Sequence, residues 1–311
     1  MSNALEVRGI SLAFGSLKAV DDVSFSIPSG MVYGFIGPNG AGKTTTMRIC
    51  ATLQLPDEGD VLIDGYSVLD EPRLVRECLG FMPDQYGAYS STTVFDYLDF
   101  FARAYGLKGK QRRTALSEVM DFTSLGPLGE KMTNALSKGM RQRLCLAKTL
   151  LHDPSVLILD EPAAGLDPRA RIELRELLRA LAEMGKAVLI SSHILTELSE
   201  VCDGVAIIEA GRIQATGSVE DIVKGVRPHN EIYVRCLEPE EVVERALLEM
   251  PGVGQIRPIR GGLAFDFMGT QGEQAGLLEH LMQLRLRPVE FASQETDLED
   301  LFLHLTEGKV Q

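Results

Sequence analysis

The segment Gly37-Pro38-Asn39-Gly40-Ala41-Gly42-Lys43-Thr44 constrains this chain more than any other. It follows the apolar run 31–36 and opens the helical periodicity of 43–53, so it reads as a turn between a strand and a helix. Its glycines let the backbone curl until successive N–H groups point inward, and the helix that follows adds its positive end. That geometry cradles phosphate. Lys43 would reach the β- and γ-phosphates, the Thr44 hydroxyl would hold Mg²⁺, and Thr45 stands beside them in the first turn.

A second element is the apolar run 156–159, which ends in Asp160 and Glu161. A buried strand would deliver both carboxylates at its C-terminal end, where ligands bind in open α/β sheets. Asp160 would hold Mg²⁺ through water, and Glu161 would polarise a water attacking the γ-phosphate. Together the two elements imply a nucleoside-triphosphate hydrolase.

The remaining pattern fits an α/β chain. Runs 5–14 and 23–27 read as half-buried strands of an antiparallel flap, and 61–63 as another strand closed by the turn Asp64-Gly65. Residues 94–106 and 110–124 read as two helices of an insert, and 137–152 as a helix with Met140, Leu144, Ala147 and Leu151 on one face. The runs 156–159, 188–190 and 205–208 lack polar alternation, as strands covered on both faces do. The pattern changes at Gly225-Val226-Arg227-Pro228. After it, strand 231–237, helix 239–250, strands 254–260 and 262–268, helix 272–286 and strand 288–293 give the β-α-β-β-α-β order of a ferredoxin-like domain. A last helix, with Leu298, Leu301, Phe302 and Leu305 on one stripe, would start at a capping box of Thr296 and Glu299.

Composition excludes some classes. The 311 residues carry a net charge of −13, against a nucleic-acid surface, and residues 229–311 alone hold 7 basic and 15 acidic side chains. No apolar stretch approaches the roughly 18 residues of a membrane helix, and the start has no signal region, so a cytoplasmic protein is expected. The five cysteines are scattered singly, as buried, reduced thiols would be.

The stretch Leu136-Ser137-Lys138-Gly139-Met140-Arg141-Gln142-Arg143, just upstream of the Asp160 strand, names the kind of hydrolase. Here the sequence resembles the ATP-binding subunits of ATP-binding-cassette (ABC) transporters, whose signature is L-S-G-G-Q. Lys138 and Met140 depart from it, while Ser137 and Gly139 keep the phosphate-contacting pair. The resemblance covers residues 1 to about 225 and implies a P-loop NTPase cassette: a mostly parallel sheet, an antiparallel flap and a helical insert at about 94–136. A small α+β ferredoxin-like domain at 229–311 would follow.

The resemblance also implies roles. Phe14, with Gly15, would stack on adenine and Val20 would pack beside the ribose. Gly37, Pro38, Asn39, Gly40, Ala41, Gly42, Lys43, Thr44 and Thr45 would bind ATP, joined by Ser137, Gly139 and Asp167. His193 would sense the γ-phosphate. In the slot where the family carries glutamine, near the metal, this chain has Asp84 and then Gln85, and either would serve. Two cassettes would face head to tail across two ATP molecules, with separate membrane permease subunits docked at 83–94 and the insert. Tyr86, Tyr89, Phe95 and Tyr97 are candidate docking side chains, and the alternative for most of them is packing within the insert itself.

The ending 296–306 and the variant signature resemble cassettes of daunorubicin-resistance-type exporters of drugs, antibiotics or lipids. The alternatives are an importer cassette whose C-terminal domain binds a small regulatory ligand, and a soluble ABC ATPase that transports nothing.

Overall fold

The computed structural model describes residues 3–84, 91–192, 201–218, 222 and 230–294. They divide into two compact units, one reaching Ser218 and the other running from Ile222 to Gln294. The expected boundary at 225–228, the last helix and its Thr296 capping box lie outside the described residues.

The first unit holds two sheets. Strands β1 (Asn3–Phe14) and β2 (Leu17–Pro28) form an antiparallel hairpin, and β4 (Glu58–Ile63) and β5 (Tyr66–Ser67) extend it in the order β2-β1-β4-β5. The second sheet is built from β3 (Val32–Ile36), β6 (Leu79–Met82), β7 (Val156–Leu159), β8 (Ala187–Ser192), β9 (Gly204–Glu209) and β10 (Arg212–Ser218). Its order is β10-β9-β3-β8-β7-β6, and every pairing except β9 with β10 is parallel. Strands β3, β7, β8 and β9 are buried at every residue, as their unbroken apolar runs require. One core, with Val7, Phe25, Phe35, Met47, Ile158 and Leu189, lies between the two sheets' residues. Sequence periodicity did not reveal β10 or the helices α2 (Pro72–Cys78) and α6 (Pro168–Glu183).

Helix α1 (Lys43–Cys50) stops short of residue 53 because Thr52 takes a left-handed φ of 59°. The insert contains α3 (Val94–Ala104) and α4 (Gly109–Phe122), with two short 3₁₀ turns leading to α5 (Lys138–Leu150). Thr93 caps α3 by accepting from the Asp96 N–H, and Ser137 caps α5 by accepting from the Met140 N–H. Among the described residues, no helix is long and apolar enough to cross a membrane.

The second unit runs β11 (Asn230–Cys236), α7 (Glu240–Leu248), β12 (Val253–Ile259), β13 (Gly262–Phe267), α8 (Gln271–Gln283) and β14 (Pro288–Gln294). Its sheet has the order β12-β13-β11-β14, antiparallel throughout. Ile232, Val234, Leu247, Phe265 and Leu281 centre its core. A complete capping box starts α8, where Thr270 and Glu273 satisfy each other's backbone N–H groups. That helix ends three residues before the expected 286, since Arg285 turns to a φ of 63°.

All five cysteines are free thiols. Cys50 and Cys145 are buried, and burial pushes both up to about 12, which leaves them unreactive near neutrality. Cys78, Cys202 and Cys236 are only partly buried, contrary to expectation.

Candidate active site

The glycine-rich loop leaves β3 at Ile36 and enters α1 at Lys43. Two of its glycines are demanded by close approach. A Cβ on Gly37 would collide with the Ile208 carbonyl oxygen on β9. Gly42 has a φ of 102°, and a Cβ there would overlap the Ala19 carbonyl oxygen. The loop is pinned by Ala41 N–H donating to the Pro38 carbonyl at 3.1 Å and Gly211 N–H donating to the Ala41 carbonyl at 3.0 Å. Gly42 caps α1 without a side chain, and no acidic residue stands in the first turn. The helix therefore presents its positive end to the loop without an internal counter-charge.

Lys43 lies across the inside of the curl. Its Nζ donates to the Gly37 carbonyl at 2.6 Å and to the Pro38 carbonyl at 3.2 Å. Burial holds the amine below the usual lysine range, and the Glu161 and Asp160 carboxylates oppose that shift. A buried cation beside a concave ring of amides is a site for a polyanion.

The carboxylates arrive on β7, as its alignment with β6 and β8 dictates. Asp160 is 2% exposed, and both its oxygens accept hydrogen bonds. Thr44 Oγ1 donates to Oδ2 at 3.0 Å, and Ser191 Oγ donates to Oδ1 at 2.7 Å. The same Ser191 oxygen accepts from the Glu161 N–H at 2.8 Å. Glu161 has a φ of 49°, a left-handed conformation costing a non-glycine residue about 1–3 kcal/mol. Its turn is held on the other side by Gln142 of α5, whose Nε2 donates to the Pro162 carbonyl at 2.5 Å. The Thr44 hydroxyl and the Asp160 carboxylate are hard oxygen donors of the kind Mg²⁺ takes. Among the described residues no three His, Cys, Asp or Glu side chains cluster, so such an ion would complete its shell with phosphate oxygens and water.

Lys43, Thr44, Asp160 and Glu161 thus converge, and the sheet edge carries more of the expected set. Asp84 is exposed two residues beyond β6, whose Met82 carbonyl accepts from the Asp160 N–H at 2.8 Å. Gln85 lies outside the described residues, as do His193, Tyr86 and Tyr89. Phe14 is 52% exposed at the tip of the β1–β2 hairpin, free to stack on a flat ring. Val20 needs correcting: it pairs with Leu12 inside the core and exposes no surface to a ribose.

Ser137 is exposed at the start of α5, and Gly139 packs against α6, where an added Cβ would sit 3.0 Å from Ala170. Asp167 caps α6, accepting from the Ala170 N–H at 2.9 Å. The expected docking aromatics divide. Phe95 is exposed, whereas Tyr97 is 2% exposed, its ring tilted at 58° against that of Phe101 inside the insert.

Sequence reasoning missed two residues of the site, Ser191 and Gln142. The only signal for Ser191 is a pair of hydroxyl side chains ending an apolar strand.

A family model described as "ABC transporter" matches residues 20–164, and one described as "AAA domain, putative AbiEii toxin, Type IV TA system" matches residues 130–199. The chain is 31% identical over 307 residues to the Nod factor export ATP-binding protein I of Burkholderia orbicola, covering 99% of this chain and 98% of the relative. It is 32% identical to the daunorubicin resistance ATP-binding protein DrrA3 of Streptomyces coeruleorubidus, covering 97% and 96%. A solved ATP-binding subunit of an ABC transporter superposes with a TM-score of 0.65 at 32% identity, covering 71% of this chain and 92% of that one. With a phosphate loop, two carboxylates and near full-length relatives of one kind, the chain belongs to the ATP-hydrolysing, ATP-binding subunits of ABC transporters.

Proposed function

We propose that this chain hydrolyses ATP as a head-to-tail dimer on the cytoplasmic face of a membrane, driving export through separate permease subunits. In this reading, residues 1–225 form the cassette and 229–311 an accessory domain. The observation that carries the hydrolytic part is the triangle of Thr44, Asp160 and Ser191, which seats Glu161 at the sheet edge beside the phosphate loop. Export is supported by the relatives, named for Nod factor export, daunorubicin resistance and linearmycin resistance.

The chain's own groups divide the work. Loop amides and the positive end of α1 bind the β- and γ-phosphates. Lys43 exchanges the carbonyls of Gly37 and Pro38 for phosphate oxygens, so a buried charge gains its counter-charge only on binding. Thr44 and Asp160, with Asp84 or Gln85 nearby, would hold Mg²⁺, which would supply counter-charge to the phosphates. Glu161 takes the proton of the attacking water. Phe14 stacks on the adenine. Ser137, Gly139 and Asp167 engage the nucleotide of the facing cassette, and His193 contacts its own γ-phosphate.

The test is Glu161→Gln. The variant is expected to bind MgATP, to turn over at least roughly 100-fold more slowly, and to accumulate as a dimer in size-exclusion chromatography with light scattering. Wild-type turnover would remove Glu161 from the base role. A strictly monomeric variant in saturating MgATP would refute the dimer.

A further inference from the structure

Glu161 holds a left-handed φ of 49°, a conformation that costs a non-glycine residue and that its neighbours stabilise. On one side Ser191 accepts the Glu161 N–H at 2.8 Å. On the other, Gln142 is 6% exposed and drives its amide into the Pro162 carbonyl at 2.5 Å. The assignment of its nitrogen as donor follows from chemistry, since a carbonyl oxygen can only accept. Pro162 is itself buried, and the turn continues through Ala164 N–H donating to the Glu161 carbonyl at 3.1 Å. Gln142 lies little more than one helical turn from the Ser137 cap, on the helix whose first turn carries Gly139.

We infer that Gln142 is a positioning residue for hydrolysis: its bond to Pro162 sets where the Glu161 carboxylate points, and ties that direction to the posture of α5. The inference rests on Glu161 as the base. Gln142 touches no part of the phosphate loop in any bond described, so its loss should spare nucleotide binding and damage the chemical step. A carboxylate aimed wrongly by a fraction of an ångström loses its water.

The test is a double-mutant cycle on the full chain. Gln142→Met keeps the side chain's length and removes the donor. It should lower kcat by roughly 10- to 100-fold while KM for ATP stays within about two-fold. In the Glu161→Gln background the same change should leave the residual turnover within about two-fold, because a residue acting through the base has nothing left to position. Gln142→Glu supplies a second route. Its ionised carboxylate opposes the Pro162 carbonyl, and its protonated form restores an O–H donor, so its kcat relative to wild type should rise as pH falls from 8 to 6. Undiminished kcat in Gln142→Met, an equal fractional loss in both backgrounds, or a flat pH ratio for Gln142→Glu would each overturn the inference. Wild-type turnover in Glu161→Gln alone would instead remove the base assignment itself, a failure distinguishable from the others.

Discussion

Replacing Ser191 by alanine removes one oxygen from the place where the two carboxylate residues meet. That oxygen is fully buried, donates to Asp160 Oδ1 at 2.7 Å and accepts from the Glu161 N–H at 2.8 Å. A hydrogen bond to a charged group contributes about 1.5–3 kcal/mol, and one from a backbone amide about 0.5–1.5 kcal/mol. Because both run through a single atom they do not add in full, and the net cost is about 2–4 kcal/mol. For a unit of some two hundred residues that lowers Tm by roughly 4–16 °C. The chain contains no tryptophan, so the melt is followed by far-ultraviolet circular dichroism. Ser191→Thr, which keeps the hydroxyl, should lose less. A Ser191→Ala melt within about 2 °C of wild type would refute the claim that these two bonds hold the carboxylate end together.

Two further outcomes follow from the geometry. Gly42→Ala combines a φ of 102° with an overlap on the Ala19 carbonyl, a strain of about 1–3 kcal/mol at the least, and should weaken ATP binding by roughly 10- to 100-fold in a fluorescent-nucleotide titration. Binding within two-fold of wild type would sink it. His152 stacks on Tyr105 and donates from Nε2 to the Leu79 carbonyl at 2.9 Å. Burial holds its imidazole below the ordinary value of about 6.5, opposed by the Leu79 bond, so the unfolded chain takes the proton first. Stability should therefore fall as pH drops below about 6.5, by at most about 1.4 kcal/mol per pH unit from this residue. His152→Gln should show a shallower loss of Tm between pH 7 and 5.5, and identical slopes would contradict the assignment.

What the sequence made legible was local. A glycine loop between an apolar run and a helix encodes its own geometry, because the collisions that demand glycine recur wherever such a loop abuts a neighbouring strand. Asp160 and Glu161 were readable for the same reason, as the end of an unbroken apolar strand. Ser191 and Gln142 were not: their partners lie 31 and 20 residues away, and neither serine nor glutamine carries a pattern that announces a buried bond. Of the docking candidates, Tyr97 packs within the insert, since 94, 97, 98 and 102 follow the helical period and are all buried. Val20 could not be placed by alternation, which along β2 groups Val23, Phe25 and Ile27 and leaves Val20 on the other face; a register shift at Asp22, with its φ of 53°, turns it into the core.

The register of β3 has a consequence for synthesis. This strand emerges early yet pairs with Val188–Ser192 on one side and Gly204–Ile207 on the other. The loop after it is closed by Ile208 and by the Gly211 amide. Contacts so distant along the chain form late and slowly. Until Val188–Ser192 has been synthesised, Val32–Ile36 is an apolar strand without either neighbour, exposed to association with other chains. The phosphate loop, although among the first segments made, therefore takes its final form only after β8 and β9 have joined β3.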